Sequence, residues 1–335
     1  MIKIIIGFML SFLIGVILMP FIIKLIHKFS CSQTILKYVE EHKSKQGTPT
    51  MGGVVFFIAS IISVVCLMDY STPLAMSFGV GLGFALIGFM DDFIKVKFKQ
   101  NLGLRPYQKI IGQVGISLIL ALYIYFWSPN KALIYLPFTF KAIDLGFWII
   151  PLVIIVCLAT TNSVNLTDGL DGLAGSVSVV YGGIFIALIS IFASLLFNAG
   201  EVDSFVNMYK DIALLLAIFM GSIMAFLVFN TNKASIFMGD VGSLGIGGLF
   251  ASTACIMGFE LMLAIVGVIY VISALSVILQ VAYFKATKGK RIFKMAPIHH
   301  HFQMCGHSEA KIGFIYQTIT LMVGLSTIVL TLFFV

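Results

Sequence analysis

Ten stretches of this chain carry no Asp, Glu, Lys or Arg: residues 4–23, 46–68, 70–90, 110–130, 145–167, 172–200, 212–232, 241–259, 261–284 and 312–335. They run from 19 to 29 residues, and a helix needs about 20 to cross the hydrocarbon core of a bilayer. Inside lipid every backbone polar group must be satisfied within the structure, which leaves helices or a closed barrel. Barrel strands are shorter and alternate apolar with polar residues; these stretches do not alternate. They predict an all-α integral membrane protein of ten transmembrane helices. The first apolar run, within residues 1–26, lacks a small-residue cleavage site and reads as a retained helix. Composition agrees: 60% of residues are hydrophobic and 10% charged, against about 25% charged in soluble domains. An ordinary solvated globular enzyme is excluded.

Basic residues set the orientation. Five of the intervening loops, roughly 24–50, 91–109, 163–171, 230–240 and 285–311, hold 17 of the 21 Lys and Arg. The other side holds Lys3, Lys131, Lys141 and Lys210. The five-loop side is therefore expected in the cytoplasm, with both termini outside. The net charge of +7 follows from this asymmetry, and no basic patch interleaved with aromatics points to a nucleic acid. The five cysteines form no CxxC pair, so neither a disulfide nor a zinc site is expected. The longest outer connection, 128–146, sets β-branched and aromatic residues among turn formers and suits a short hairpin. No internal repeat or soluble domain is visible, so residues 1–335 read as one polytopic domain whose five cytoplasmic loops carry the chemistry.

Those loops hold an unusual set of acids. "GFMDDFIKVKFKQNLGLRPYQK" places Asp91 and Asp92 at a helix C-terminus, against the helix dipole. "TNSVNLTDGLDG" places Asn165, Asp168 and Asp171 in a glycine-punctuated turn without a basic residue, so a metal ion or lysines from neighbouring loops must neutralise it. "NTNKASIFMGDVGSLGIGG" places Asp240 at a helix start, where a carboxylate is also an ordinary N-cap, beside Phe237, an aromatic platform for a base. "KSKQGTPTMGG" offers Lys45, Thr50 and backbone amides to an anion, or is a plain helix-entry turn. "MAPIHHHFQMCGHSEAKI" holds three successive histidines, whose side chains diverge and suit phosphate or sugar hydroxyls better than zinc. Carboxylates with hydroxyl and lysine donors suit Mg²⁺ and substrate phosphates, which points to phosphoryl transfer onto a lipid held by the apolar helices.

The motifs "GTPTMGG", "MDD", "NSVNLTDGLDGLA", "FMGDVGSL" and "APIHHHF", in this order over the whole chain, resemble the polyprenyl-phosphate N-acetylhexosamine-1-phosphate transferases. Within that family they are similar to the members acting on UDP-N-acetylmuramoyl-pentapeptide. The resemblance implies a bacterial cytoplasmic-membrane enzyme that joins this nucleotide to undecaprenyl phosphate, giving lipid I and UMP with Mg²⁺, at the first membrane step of peptidoglycan synthesis. It also implies a homodimer inhibited by nucleoside antibiotics. By motif, Asp240 is the implied metal ligand. Asp91, Asp92, Asp168, His299, His300 and His301 are implied catalytic residues, with Asp91 or Asp92 as base. Lys45, Thr50, Lys109, Asn165, Gly169, Leu170, Asp171 and Phe237 are implied substrate contacts, with Phe237 stacking on uracil. Two readings stand beside this one. A sister transferase using UDP-N-acetylglucosamine should differ in the fifth loop. A transporter of a phosphorylated solute would need polar groups near the bilayer midplane, which the charge-free stretches lack.

Overall fold

The computed structural model describes residues 2–28, 47–98, 102–139, 141–231 and 233–334. Among the described residues it is an all-α bundle apart from one small hairpin. The helices are α1 (Ile2–Lys28), α2 (Gly53–Leu67), α3 (Thr72–Lys97), α4 (Pro106–Phe126), α5 (Ile149–Thr167), α6 (Leu173–Asn198), α7 (Asp203–Asn230), α8 (Gly239–Met257), α9 (Glu260–Val266), α10 (Val268–Ala286), α11 (Ile298–Met304) and α12 (Glu309–Phe334). Among the described residues nine are long and apolar enough to cross a membrane, and α2 is a shorter apolar helix.

Two of the predicted stretches fold differently from one uninterrupted span. In 46–68 the residues before Gly53 leave the helix and pair with the chain ahead of α8. The 15 residues of α2 rise only about 22 Å. In 261–284 the helix breaks at Gly267, where α9 ends and α10 begins. The outer connection does form a hairpin: β1 (Leu133–Tyr135) pairs antiparallel with β2 (Ala142–Asp144), Leu133 opposite Asp144. The Tyr135 N–H donates to the Gly258 carbonyl at 2.9 Å, which ties the hairpin to the outer end of α8.

Helix directions follow from which small residues touch. On α1, Gly7 faces Leu214 and Ile218 of α7, while Gly15 faces Ala225, so α1 and α7 run parallel. The hydroxyls of Ser60 and Ser222 meet at 3.0 Å, and Phe56 packs edge-on against Phe226; α2 and α7 are antiparallel. On α3, Gly81 faces Leu249 and Gly88 faces Asp240 of α8, so this pair is antiparallel too. Such glycine contacts let backbones approach where lipid supplies no hydrophobic drive between helices. The large buried side chains Phe56, Phe84, Tyr181, Phe185, Phe219, Phe226 and Phe250 fill the centre around α7 and α8.

Candidate active site

The antiparallel packing of α3 and α8 brings the C-terminal end of one against the N-terminal end of the other. Asp91 and Asp92 lie in the last two turns of α3, and Asp240 is the second residue of α8. Gly88 permits the meeting, because a Cβ there would fall on the Asp240 carbonyl group. On the other side Gly239, at φ +71°, leaves room for the Asp92 carboxylate and the Thr50 hydroxyl. One oxygen from each of Asp91, Asp92 and Asp240 then lies within 4.8 Å of the others.

Asp91 and Asp92 are buried, and buried charges require partners. Lys95, one turn beyond both on α3, pairs with Asp91 and lies 3.7 Å from Asp92 Oδ1 and 3.3 Å from Asp240 Oδ2. Lys109 of α4 reaches Asp240 Oδ2 at 2.8 Å. The Leu104 N–H donates to Asp91 Oδ1 at 2.8 Å, folding the second loop back over the site. Asn165, in the last turn of α5, donates from Nδ2 to Asp240 Oδ1 at 2.9 Å and to Ser243 Oγ at 2.8 Å. The capping role open to Asp240 falls to another residue: the Val241 N–H at the start of α8 donates to Asp92 Oδ2 at 3.1 Å. Asp240 spends its oxygens on two lysines and an amide instead.

The loop before α2 forms one wall. Phe237 donates its N–H to the Pro49 carbonyl at 2.8 Å, and Gly52 and Gly53 donate to Phe237 and Met238 at 2.8 and 3.0 Å. Thr50 is buried and its Oγ1 has no hydrogen-bond partner among the described residues. Phe237 is half-buried at this seam. Lys45 lies outside the described residues.

The turn between α5 and α6 forms the opposite wall. Burial, and then the charges of Asp240, Asp92 and Asp171, push Asp168 up to about 8. Gly169 packs directly against the His299 and His300 rings, and its N–H is used on the Thr167 carbonyl. Leu170 is buried. Asp171 turns from the cluster: its Oδ2 accepts the Ala234 N–H at 3.1 Å, and its own N–H donates to Glu309 Oε2 at 3.1 Å. Asn230 completes the tie, accepting from Gly172 N–H at 2.9 Å and donating to the Ile236 carbonyl at 2.7 Å.

The His299 and His300 rings pack edge-on with centroids 4.3 Å apart, and His301 parts from them. His299 is buried, and neither ring nitrogen has a hydrogen-bond partner among the described residues; burial, then His300, lowers its pKa to about 3. His300 Nδ1 lies 3.2 Å from Gln303 Oε1. His301 points into its own loop, accepting the Lys294 N–H on Nδ1 at 3.2 Å.

The carboxylate trio and Thr50 Oγ1 form an all-oxygen donor set, which fits a hard divalent cation. Asp91, Asp92 and Asp240 could together hold one. Sequence reasoning missed Lys95, although its spacing from Asp91 and Asp92 puts all three on adjoining positions of one helix. It also missed Ser243, Asn230 and Glu309, whose partners lie far off along the chain.

The sequence matches the profile described as glycosyl transferase family 4 over residues 74–259, and phospho-N-acetylmuramoyl-pentapeptide-transferase signature 1 over residues 45–57. The chain is 40% identical to the phospho-N-acetylmuramoyl-pentapeptide-transferase of Clostridioides difficile (strain 630), over 96% of this chain and 95% of that one. It is 42% identical to the protein of the same name from Clostridium perfringens (strain 13 / Type A), over 95% of each. With the corresponding protein of Clostridium kluyveri (strain NBRC 12016) the identity is 41%, over 97% of this chain and 98% of that one.

Proposed function

The chain belongs to the phospho-N-acetylmuramoyl-pentapeptide transferases, and from that premise we propose that the Asp91–Asp92–Asp240 cluster is where its two substrates meet. The enzyme transfers phospho-N-acetylmuramoyl-pentapeptide from its UDP carrier to undecaprenyl phosphate, the first membrane step of peptidoglycan synthesis. An oxygen of the lipid phosphate forms a bond to the sugar-linked β-phosphorus, the bond from that phosphorus to the α-phosphate oxygen breaks, and UMP leaves with the electron pair. The products are lipid I and UMP. The observation that carries the site assignment is the trio of carboxylates from two helices within 4.8 Å, flanked by two lysines.

In this reading Asp240 would hold Mg²⁺ together with one of Asp91 and Asp92, the other being left as base. The chemistry the ion would supply there is neutralisation of the diphosphate oxygens and of the departing phosphate. Lys95 and Lys109 shift from the acids toward the substrate phosphates as these enter. Asp91 or Asp92 accepts the proton of the lipid phosphate where it carries one. Phe237 stacks on the uracil, with Gly169 and Leu170 opposite, and His299 and His300 meet the sugar-phosphate. Asn165 holds Asp240 in place, and Thr50 offers its hydroxyl.

The site faces the cytoplasm of a bacterial cell membrane in this account, because 17 of the 21 basic residues share its side. Ten crossings are supported by the packing directions. α2 runs antiparallel to α7, α1 parallel to α7, and α3 antiparallel to α8, as successive crossings with α2 counted as a span require.

UMP release tests the reading. The purified enzyme with Mg²⁺ and undecaprenyl phosphate should release UMP from UDP-N-acetylmuramoyl-pentapeptide, and should not from UDP-N-acetylglucosamine. Equal release from both would overturn the substrate assignment.

A further inference from the structure

The histidine helix α11 has seven residues, too few to persist alone. The chain before it, from the end of α10 to Pro297, contains no helix or strand. Yet His299 is buried and seated against Gly169. Something must hold this arm in place.

The holder is a polar stripe on α10. Most of α10 faces outward: Val271, Ile272, Leu275, Ile278, Leu279 and Val281 are exposed. Its buried positions are Ile269, Tyr270, Ser273 and Ser276, and the half-buried Gln280 continues the Ile269–Ser273–Ser276 line at alternating four- and three-residue steps, on one face. Ser276 Oγ accepts the Ile298 N–H, the first of α11, at 3.0 Å. One turn further, Gln280 Oε1 accepts the N–H groups of both Ile292 and Phe293 at 3.0 Å, and Nε2 donates to the Phe293 carbonyl at 3.0 Å. One side chain thus satisfies three backbone groups of a segment that has no ladder of its own. Beyond it, the Phe293 ring meets His301 edge-on, and the Lys294 N–H reaches His301 Nδ1. A glutamine in an outward-facing apolar helix is costly unless its amide is used, and here it is used on the arm.

We propose that Gln280 is a positioning residue for the nucleotide-sugar site: it hangs the arm 288–297 from α10 and thereby sets where His299 and His300 stand against Gly169. Ser276 adds a second, weaker tie. The proposal rests on the reading that this histidine helix belongs to the substrate site. It acts through the histidines, so it governs the nucleotide sugar and not the metal cluster on α3 and α8.

Hydrogen exchange and steady-state kinetics on the full-length enzyme in detergent or nanodiscs test it. In Gln280→Leu, which keeps the helix apolar, the Ile292 and Phe293 amides should exchange roughly tenfold faster, while peptides from α3 and α8 exchange unchanged. The KM for UDP-N-acetylmuramoyl-pentapeptide should rise roughly tenfold, with kcat and the KM for undecaprenyl phosphate within about twofold. Gln280→Glu keeps an acceptor for both N–H groups and should restore most of the protection and the KM. Ser276→Ala should move both quantities the same way by less. Unchanged exchange in Gln280→Leu would overturn the clamp, and faster exchange with unchanged KM would overturn its positioning role. The exchange arm needs no substrate. Failure of the wild type to release UMP would therefore sink the functional reading, while the exchange result still decides the clamp.

Discussion

Two helices anchor the two halves of the site, α8 the carboxylates and α10 the histidine arm, and they are built on opposite terms. In the most apolar part of α8, 94% of residues are buried; in α10 the figure is 28%. α8 is wedged against α3, α5 and α2 through glycines that leave no slack: Gly53 meets Gly242, Gly88 meets Asp240, and Gly247 meets Thr161. α10 holds its arm by one glutamine and one serine. The carboxylate half is thus fixed by backbone contact, and the histidine half by a few hydrogen bonds. Charge chemistry that fails with a small displacement sits on the rigid half. In the proposed reading, contacts to a large, variable substrate sit on the half that can yield.

Three substitutions can break this contrast. The largest effect belongs to Gly88→Ala. Its Cβ would collide with the Asp240 carbonyl and the Val241 nitrogen, parting α3 from α8 and Asp91 and Asp92 from Asp240. Turnover should fall on the order of 10²-fold or more, measured as UMP release on protein that still elutes as a folded species. Near wild-type turnover would mean that the glycine contact does not set the cluster. On the yielding half the effects are smaller. His299→Ala should lower kcat/KM for the nucleotide sugar about tenfold, the scale of one hydrogen bond. His301→Ala should change it by about twofold or less, since His301 serves its own loop. Equal losses at the two positions would show that the triplet acts as a unit and that its separation in space is not functional.

The sequence alone carried the class of fold, because charge-free length is a direct consequence of bilayer thickness. It also carried the acids, because an apolar chain keeps few of them without use. The hairpin was visible in the turn formers of the connection 128–146, within which β1 and β2 pair. What it hid depends on contacts between distant parts of the chain. The shortening of α2 follows from Gly52 and Gly53 pairing with Phe237 and Met238, a partner 185 residues away. The break at Gly267 is one glycine inside an otherwise continuous apolar run. The bond from the Ala234 N–H to the Asp171 carboxylate joins residues 63 apart in the chain and has no local signal. Lys95 is one of the second-loop lysines, with Lys97, Lys99 and Lys109, and membrane orientation explains all of them equally well. Gln280 has no local signal at all, since its three partners lie 12 and 13 residues beyond it in a loop without a regular pattern.

The central claim is that Asp240 binds the metal and does not cap α8. Asp240→Asn tests it most directly, because Asn keeps the size and caps as well as Asp but lacks the charge a divalent cation requires. UMP release by this variant, titrated with Mg²⁺ on protein of unchanged thermal stability, should show a rate reduced on the order of 10²-fold or more and a midpoint moved to higher Mg²⁺. Near wild-type turnover at the wild-type Mg²⁺ midpoint would contradict the account and leave Asp240 a structural residue.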